Sequence, residues 1–401
     1  MNEAMKENKS AQYAVKIRQD RKILWGVRSP LLSRLDMELT ERCNNNCIHC
    51  YNNLPAKDIE TKNKELATGE IKDILKDAAS LGCFTVRFTG GEPLLREDFE
   101  ELYISARKLG LKVLIFTNAA LITTRIADLF GRLPPLENIE ITVYGMKKKS
   151  YEAITRNPGS FNAAWQGIKL LQEKKVPFIV KSAILPPNKS ELEEFEAWAS
   201  TIPQMHKPPS YSILFDLRCH RDSEEKNCQI RNLRLSSEEI LKVFSRRKDA
   251  YVKETINFCS KFLKPLGAGL FSCGAGIGGG CVDAYGHLQP CMMLRHPATI
   301  YNLQNGSLKE GFENFFQEMR KMKAKNSDYL HRCARCFLKS LCEQCPAKSW
   351  MEHGTLDTPV DYFCDITHAQ ARYIGLLRGS EKAWEIEDWQ ERITRISGRG
   401  R

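Results

Sequence analysis

The sequence predicts an α/β protein in which a parallel β-sheet precedes a small cysteine-rich domain. Between residue 34 and about residue 216, short runs of β-branched and aromatic residues alternate with amphipathic helical stretches. Repeated strand-helix units indicate parallel strands, because each helix returns the chain across the sheet. From about residue 266 the composition changes, and eight of the 15 cysteines follow within about ninety residues.

The first region contains six predicted strands and five predicted helices. The strands are expected near residues 35–39, 84–88, 112–117, 138–144, 178–185 and 211–216. The helices are expected near residues 68–80, 96–109, 123–130, 161–173 and 190–200. Six such units are too few to close an eight-stranded barrel.

Composition also predicts the domain limits. Residues 1–33 are a polar, basic N-terminal extension with a short apolar patch at 23–27, and residues 34–216 are the domain of strands and helices. A charged bridging region at 217–262 contains a helix at about 236–260. The cysteine-rich domain follows at 263–370, and a helical tail occupies 371–401.

Charge and hydropathy narrow the class of protein. No segment has the apolar run of a membrane span, and the N-terminus lacks the apolar core of a signal peptide, so a cytoplasmic location is expected. The net charge of +11 is assigned to solvated surface, with an acidic leader peptide or nucleic acid as the alternative. No aromatic-basic interleaving favours nucleic acid, although the chain ends in the basic sequence SGRGR. In an intracellular chain of this size, CXXC spacing indicates metal binding.

The chemistry is expected in the segment ELTERCNNNCIHCY, residues 38–51, after the first predicted strand. It places Cys43, Cys47 and Cys50 within eight residues, in a CX3CX2C arrangement. Thiolates are soft ligands that favour iron-sulfur clusters and zinc. Three thiolates leave one metal position open for a non-protein ligand, as in catalytic metal sites. The alternative is a zinc knuckle completed by His49.

A second motif, Thr89-Gly90-Gly91-Glu92-Pro93, follows the second predicted strand. Its glycines permit a tight turn and a close approach to a ligand, and its proline stiffens the exit. The pair CNNNCIHC and TGGEP resembles the radical S-adenosylmethionine (SAM) superfamily. The resemblance implies an open (β/α)6 partial barrel and a [4Fe-4S] cluster on the three cysteines. It also implies that SAM binds the fourth iron, with its amino group at the Gly-Gly-Glu-Pro loop.

The resemblance further implies a reaction. An electron from the cluster cleaves SAM to a 5′-deoxyadenosyl radical, which abstracts hydrogen from the substrate, while the protein supplies orientation and excludes water. His49 departs from the family pattern, which has an aromatic residue before the third cysteine, and this departure predicts altered packing over the cluster. No residue is assigned as the catalytic acid or base.

Other strand ends supply further candidate SAM contacts, because the C-terminal ends of parallel strands share one edge. Asn118, in FTNA, is similar to the family's Thr-Asn-Gly, and Thr142 stands at the place of a family serine that contacts the cofactor. Arg156, in TRNPGSF, resembles weakly an arginine that pairs with the SAM carboxylate. For each, the alternative is an ordinary cap or turn residue. Asp36 and Glu38 share one strand face and either help to place the substrate or form a buried polar pair.

The C-terminal cysteines are predicted to form two further sites. Their segment resembles the SPASM extension of radical SAM enzymes, although the last gap in HRCARCFLKSLCEQCP is two residues where the family has three. The family scheme implies two auxiliary [4Fe-4S] clusters, each fully ligated by protein, and two structural zinc sites are the alternative. One cluster would take Cys273, Cys281, Cys291 and Cys345, and the other would take Cys333, Cys336, Cys342 and Cys364.

The SPASM resemblance implies modification of a ribosomally made peptide or protein, by cross-linking, thioether formation, epimerisation or side-chain oxidation. A small-molecule radical dehydrogenase or a tetrapyrrole-modifying enzyme is the alternative, and a non-catalytic scaffold is a third reading. The expected partners are the peptide or protein substrate and an electron donor such as flavodoxin or ferredoxin. Residues 1–33 are too few for a peptide-binding domain, so a leader-peptide-binding module is expected elsewhere or on another chain. Met292 stands where some sulfatase-maturating relatives carry Asp, which weakens that specific reading.

Overall fold

The computed structural model describes residues 31–399, whose strands form one nine-stranded sheet and one small ladder. The sheet order is β11-β10-β9-β1-β4-β5-β6-β7-β8, and β2 pairs with β3. In chain order the strands are β1 (Leu32–Thr40), β2 (Arg42–Cys43), β3 (Leu54–Pro55), β4 (Thr85–Gly90), β5 (Lys112–Thr117), β6 (Leu136–Thr142), β7 (Phe178–Ala183), β8 (Ser210–Ser212), β9 (Gly278–Val282), β10 (His287–Gln289) and β11 (Tyr301–Asn302).

Helices connect the parallel strands and make up much of the remaining chain. A π-helical turn, Gly311–Phe315, joins two short helices late in the sequence. In chain order the helices are α1 (Ile59–Lys64), α2 (Thr68–Ser80), α3 (Phe99–Lys108), α4 (Thr124–Arg132), α5 (Lys148–Thr155), α6 (Ser160–Glu173), α7 (Leu192–Ala199), α8 (Glu224–Leu233), α9 (Ser237–Phe244), α10 (Lys248–Phe262), α11 (Leu308–Glu310), α12 (Phe316–Met319), α13 (Ser327–His331), α14 (Pro346–His353), α15 (Asp361–Tyr373) and α16 (Trp389–Arg399). Among residues 31–399, none of these helices combines the length and apolarity needed to cross a bilayer.

The six predicted strands correspond to β1 and β4–β8, and all of them pair in parallel. This large parallel sheet is consistent with a partial barrel. The last strand is shorter than predicted, because β8 is an edge strand that pairs only with β7. The helix predicted at 236–260 is divided into α9 and α10 by a 3₁₀ turn, Ser245–Arg247, which buries no side chain that would favour a continuous helix.

Three strands that the sequence did not predict extend the sheet beyond β1. Strand β9, with the sequence GGGCV, pairs in parallel with β1 and sets Gly280 opposite Leu35. A Cβ on Gly280 would lie 3.0 Å from the ring of Phe312 and 3.4 Å from that of Phe316, so glycine permits both rings to pack on the strand. Strands β10 and β11 then continue the sheet with antiparallel pairing.

The chain divides into two compact units that alternate along the sequence. One unit contains residues up to Ser212 together with Ala275–Met292 and Thr299–Gln317. The other contains Ile213–Gly274, Met293–Ala298 and the residues from Glu318 onward. The predicted cysteine-rich domain at 263–370 therefore contributes to both units. The predicted apolar patch at 23–27, like the rest of residues 1–30 of the predicted extension and the last two residues of the tail, lies outside the described residues.

One face of the parallel sheet carries the apolar core of the first unit. Phe88 of β4 contacts Phe99 of α3 with ring centroids 6.2 Å apart, and Phe99 in turn contacts Phe130 of α4 at 6.3 Å. All three side chains are buried, and burial of each contributes on the order of 2 kcal/mol. Because side chains alternate along a strand, the opposite face carries the residues between these apolar positions, and many of them are polar.

Candidate functional site

The three N-terminal cysteines follow β1 at the C-terminal edge of the parallel strands, with Cys43 at the end of the short strand β2 and Cys47 and Cys50 in the loop after it. Cys47 is buried, and Cys43 and Cys50 are half-buried. Burial raises the pKa of the Cys43 thiol well above its usual range, and the nearby Cys47 and Glu92 add to this effect. A metal cluster would compensate these thiolates, because its positive charge replaces their protons. Three soft ligands on one loop therefore fit a cluster that leaves one metal position to another ligand.

The end of helix α5 fixes the conformation of this loop. The backbone N–H of Asn46 donates to the carbonyl oxygen of Thr155 at 2.8 Å, and the N–H of Ile48 donates to that of Ile154 at 3.0 Å. The last carbonyls of a helix have no partner within the helix. The cysteine loop thus supplies the hydrogen bonds that the C-terminus of α5 lacks.

Asparagine side chains hold the same loop from other directions. Asn157 donates through Nδ2 to the carbonyl oxygen of Asn44 at 2.8 Å and to Oδ1 of Asn45 at 3.1 Å. Asn118, at the end of β5, donates to Oδ1 of Asn44 at 2.8 Å, and Asn53 donates to the carbonyl oxygen of Asn45 at 3.1 Å. These neutral amides position the loop without adding charge beside the thiols.

The Gly-Gly-Glu-Pro loop is joined directly to the segment that leads into the cysteines. The N–H of Gly91 donates to the carbonyl oxygen of Thr40 at 2.7 Å, and the N–H of Glu92 donates to that of Arg42 at 3.0 Å. Gly90 has a φ of +128°, and a Cβ there would lie 2.0 Å from the Thr40 oxygen. A Cβ on Gly91 would lie 2.3 Å from the Arg42 oxygen. Only glycine permits this contact between the two motifs.

The Glu92 carboxylate is buried and joins β4 to β5. It accepts hydrogen bonds from the Thr117 hydroxyl at 2.8 Å, from the Asn118 N–H at 2.9 Å and from the Leu94 N–H at 3.2 Å. Desolvation raises the pKa of Glu92 to about 7, although these three hydrogen bonds oppose the shift. The carboxylate also caps the 3₁₀ turn Pro93–Leu95. Its contacts therefore fix where the two strand ends lie.

Asn118, Thr142 and Arg156, the other predicted SAM contacts, differ in their surroundings. The Asn118 Nδ2 lies 3.9 Å from the Cys43 sulfur. Thr142 is the last residue of β6, is half-buried, and pairs with Lys181 of β7. Arg156 ends helix α5 in the left-handed conformation, with φ of 50°, and its side chain is exposed. Their roles as SAM contacts remain predictions.

The His49 ring occupies the position before the third cysteine. It contacts the ring of Tyr144 edge-on, with centroids 5.5 Å apart, and Tyr144 contacts Tyr151 in the same manner at 5.7 Å. The imidazole thus takes part in an aromatic cluster beside the loop, and altered packing over a metal cluster stays a prediction.

Sequence reasoning missed two features of this site. Asn157 follows the predicted Arg156 and makes the contacts to the cysteine loop described above. Arg42, next to Cys43, forms a buried double hydrogen bond with Glu65, with distances of 2.8 and 3.0 Å. An arginine beside the first cysteine was the only signal for this pair, because Glu65 lies in a distant polar stretch.

A second group of thiols lies within the second compact unit. Burial raises the pKa of Cys333 to about 11, and the pKa of Cys336 is raised further. Within residues 31–399, no three potential ligand side chains converge on a single metal ion, and these thiols border a shared space instead. The cavity is partly open, and its atom-free space, including adjoining solvent, is about 380 Å³. It is lined by Cys333, Cys336, Cys342 and Cys364 together with Arg332, His368 and Trp384 among other residues.

Hydrogen-bond donors point at the sulfur atoms of this cavity. The Gln344 N–H donates to the Cys342 sulfur at 3.5 Å. His368 Nδ1 lies 3.5 Å from the Cys364 sulfur and 2.8 Å from the Cys364 carbonyl oxygen. The Ala383 N–H donates to His368 Nε2 at 3.1 Å, so Nδ1 carries the proton. Donors of this kind surround protein-bound iron-sulfur clusters, so the cavity fits one.

The other four predicted auxiliary ligands do not all belong to one compact unit. Cys281 in β9 and Cys291 after β10 belong to the first unit. Cys273 and Cys345 belong to the second unit, in which Cys345 precedes helix α14 and has a pKa raised by burial. Their common ligation of a cluster remains a prediction.

Comparisons with known proteins agree with the N-terminal site. The Radical SAM superfamily matches residues 37–201. The Fe-coproporphyrin III synthase of Methanosarcina barkeri is 27% identical over 330 residues, which cover 76% of this chain and 80% of that protein. The mycofactocin maturase MftC of Mycobacterium tuberculosis is 25% identical over 347 residues, which cover 83% of each protein.

The fold is also found among solved structures. The structure of anSMEcpe with bound AdoMet and Cp18Cys peptide matches with a TM-score of 0.54 and 18% identity, and the match covers 92% of this chain and 99% of that chain. This likeness shows the fold, while the matched sequence family and the cysteine loop identify the N-terminal region. Residues 37–201 therefore form a radical SAM domain.

Proposed function

We propose that the protein cleaves SAM reductively and modifies a ribosomally made peptide or protein. The observation that carries this proposal is the direct backbone pairing of the two motifs, in which Gly91 and Glu92 donate to Thr40 and Arg42. The pairing sets three thiols and a glycine backbone at the C-terminal edge of a parallel sheet. Enzymes with parallel α/β barrels carry their chemistry at this edge.

On this proposal, Cys43, Cys47 and Cys50 would hold a [4Fe-4S] cluster and leave one iron for SAM. When bound, the cluster would supply the electron for reductive cleavage of SAM, and the resulting radical would take hydrogen from the substrate. The protein's own residues hold the cysteine loop in position. Asn118 and Asn157 keep the cysteine loop in one conformation through the contacts described above.

The loop Gly90-Gly91-Glu92-Pro93 is the proposed site for the SAM amino group. The absence of side chains at the two glycines leaves backbone groups accessible to a ligand. Glu92 holds the loop against β5 through Thr117 and Asn118, so it is a positioning residue as well as a proposed SAM contact. Thr142 and Arg156 are proposed as further contacts with SAM.

We infer further that the C-terminal cysteines hold two auxiliary [4Fe-4S] clusters of the SPASM type. The cavity that Cys333, Cys336, Cys342 and Cys364 share supports one of them. The second would use Cys273, Cys281, Cys291 and Cys345. Full ligation by protein suits electron transfer, and a flavodoxin or ferredoxin would supply the electrons. The proposed location is the cytoplasm.

A peptide or protein substrate is supported by two of the comparisons. One relative is named as a maturase, and a solved structure of the same fold contains both AdoMet and a peptide. A tetrapyrrole substrate is the second candidate, because the similarity to an Fe-coproporphyrin III synthase extends over 76% of this chain.

The test measures transfer of deuterium from a labelled substrate to 5′-deoxyadenosine. Anaerobic protein reconstituted with iron and sulfide is incubated with SAM, dithionite and a deuterated short peptide encoded beside the gene, or with deuterated coproporphyrin III. We expect deuterium in 5′-deoxyadenosine and a changed peptide mass. Transfer from the porphyrin alone would establish the second candidate. Absence of 5′-deoxyadenosine from every reaction would contradict both candidate functions.

A further inference from the structure

Five strands of the first unit each contribute one side chain to a connected group on the sheet face opposite the apolar core. We call this group the charged cluster. Asp36 lies opposite Arg87 in the pairing of β1 with β4, and Phe116 lies opposite Glu140 in the pairing of β5 with β6. Its members are Asp36 of β1, Arg87 of β4, Phe116 of β5, Glu140 of β6 and Lys181 of β7.

Two cations of the cluster contact the same aromatic ring. The guanidinium carbon of Arg87 lies 4.5 Å from the centroid of the Phe116 ring, and Nζ of Lys181 lies 3.6 Å from it. Each cation also has an acidic partner. Arg87 Nη1 lies 3.1 Å from Oδ2 of Asp36, and Lys181 Nζ lies 2.6 Å from Oε1 of Glu140. Side chains from β4 and β7 therefore meet over a ring from β5.

The cluster lies just beneath the proposed SAM site. Arg87 precedes Gly90 by three residues, and Phe116 precedes Asn118 by two. At about 3.3 Å per residue, these positions are roughly 7 to 10 Å from the strand ends. The cluster is also partly open, since the side chains of Lys181 and Glu140 keep 20% and 18% of their exposure.

Arg87 retains hydrogen-bonding capacity that its neighbours do not use. Its side chain is only 10% exposed, and its Nε–H has no acceptor among residues 31–399. Arg87 Nη1 also lies 3.6 Å from the sulfur of Met292, the residue after Cys291. A buried donor without an acceptor costs about 1 to 3 kcal/mol, so a bound acceptor would stabilise the site.

The two cations of the cluster also repel each other. Burial lowers the pKa of Lys181, Glu140 opposes this shift through its charge and hydrogen bond, and the positive charge of Arg87 adds to the lowering. A carboxylate between the two cations would reduce their repulsion and accept from the free Nε–H. Arginine presents its donors in a planar fork that matches a carboxylate, and lysine adds a point charge.

We propose that Arg87 and Lys181 bind a carboxylate group of the substrate on the sheet face opposite the apolar core. This inference rests on the proposed function and specifies its substrate class, namely a molecule with a free carboxylate near the atom that loses hydrogen. The carboxylate belongs to an acidic side chain of a peptide or to a tetrapyrrole, and the experiment separates these two sources.

The test measures binding to the full-length, anaerobically reconstituted protein in the presence of SAM and without reductant. One probe is fluorescein-labelled pentaglutamate, with labelled pentaglutamine as its uncharged counterpart, followed by anisotropy. The other probe is coproporphyrin III, followed by its absorbance. Arg87→Gln and Lys181→Gln are each expected to weaken binding of the preferred carboxylate probe by about ten- to a hundredfold.

The chain supplies a matched control in Lys112, the first residue of β5. Its Nζ lies 5.3 Å from the centroid of the Phe84 ring and 3.3 Å from Oε1 of Glu137, so it has the same kinds of partner at the opposite edge of the sheet. Lys112→Gln is expected to change probe binding by less than about twofold. Lys181→Arg keeps the cation and is expected to retain binding, which separates loss of charge from loss of folding.

The outcomes are distinct. Preferred binding of pentaglutamate supports a peptide source, and preferred binding of coproporphyrin III supports a tetrapyrrole source. Equal binding by the wild-type protein, Arg87→Gln and Lys181→Gln would overturn the proposal, and so would wild-type binding that does not distinguish pentaglutamate from pentaglutamine and ignores the porphyrin. Cleavage of SAM by the wild-type protein is measured separately, so failure of the proposed function is recognised independently of carboxylate binding.

Discussion

Two sets of cysteine side chains in this protein differ in the number of their thiols and in their surroundings. The loop at residues 43–50 contributes three thiols and is held by backbone groups and neutral asparagines. The cavity of the second unit contributes four thiols, and its lining also includes two cations and two rings, from Arg332, Lys339, His368 and Trp384.

This difference indicates a difference in role. A site with three protein ligands keeps one metal position for another molecule, whereas four protein ligands complete the coordination. The surrounding contacts agree with this division. Asn118 and Asn157 hold the loop in place, while the Arg332 guanidinium lies 5.1 Å from the Trp384 ring centroid in the lining of the cavity. The difference supports the proposed roles, SAM chemistry at the first site and electron transfer at the second.

Removal of the three N-terminal thiols is the strongest way to separate the two sites. The Cys43→Ala, Cys47→Ala, Cys50→Ala triple variant is expected to produce no detectable 5′-deoxyadenosine and to lose roughly four irons per chain. The C-terminal iron should remain. Iron analysis and chromatography of the reaction measure both effects. Cys228→Ala, which removes an exposed cysteine outside both sites, is the control. Loss of all iron in the triple variant would show that the sites are not independent.

Substitution of Gly91 tests whether close backbone contact creates the first site. In Gly91→Ala, the new Cβ would lie 2.3 Å from the Arg42 oxygen, so the loop must move. We expect SAM affinity, measured by calorimetry, to fall by about tenfold or more, and stability to fall by roughly 1 to 3 kcal/mol. Gly69→Ala, where no atom lies within 4 Å, is expected to change neither adversely. Equal effects of the two substitutions would contradict the role of the contact.

The Glu92 carboxylate gives the first site a pH dependence. Its folded pKa of about 7 lies above its ordinary value of 4.5, so the folded state binds more protons between these values. The contribution to stability is therefore complete below about pH 4.5 and is lost as pH rises through about 7, by on the order of 3 kcal/mol. Urea unfolding of the apoprotein at several pH values measures this loss.

Glu92→Gln supplies the comparison for that measurement. The amide cannot ionise, so the variant is expected to lack this part of the pH dependence. Its NH2 group replaces one of the two acceptor oxygens, so it faces either the Asn118 N–H or the donors from Thr117 and Leu94, which costs about 1 to 3 kcal/mol. The same pH profile in both proteins would exclude Glu92 as the titrating group.

His368 offers a smaller test of the second site. Its Nδ1–H lies 3.5 Å from the Cys364 sulfur, and hydrogen bonds to sulfur raise cluster potentials. His368→Leu is therefore expected to lower the midpoint potential of one auxiliary cluster, as measured by a redox titration followed by EPR. His331→Leu, at an exposed histidine, should leave every potential unchanged. An unaltered titration in His368→Leu would remove this histidine from the account.

The smallest effects are expected next to helix α5. Asn157→Ala removes two hydrogen bonds to the cysteine loop and is expected to weaken SAM binding several-fold, since each bond contributes about 1 kcal/mol. Arg156→Ala changes an exposed side chain, and its effect reports directly on the family-based expectation that this arginine meets the SAM carboxylate. If Arg156→Ala weakens binding more than Asn157→Ala does, the family-based expectation is right and the loop contact is secondary.

The sequence predicted the parts of the fold that depend on local pattern. The six parallel strands were found because β-branched and aromatic runs give a strong local signal, and helix α2 has the predicted limits. Strand β9 was missed because GGGCV has low strand propensity. Its conformation depends on pairing with β1 and on the contacts of Phe312 and Phe316 at Gly280, which are distant in sequence.

For the candidate site, too, only features with a local sequence signal could be predicted. Cysteine spacing and the Gly-Gly-Glu-Pro sequence are local, so they could be recognised directly. The positions of Asn157 and of the charged cluster depend on which strands and helices meet, and one sequence contains no direct signal of that. Alternation in β4 and β7 does set Arg87 and Lys181 on the face opposite the apolar residues of those strands, and this alternation was the sequence signal for the charged cluster.

The most direct test of the difference between the two thiol sites is an EPR experiment on anaerobic, iron-reconstituted and dithionite-reduced protein, with and without SAM. We expect SAM to change the signal of one cluster, to leave the others unchanged and to yield 5′-deoxyadenosine in the same sample. The triple variant should lose only the signal that responds to SAM. Identical spectra with and without SAM, together with intact SAM, would contradict the account.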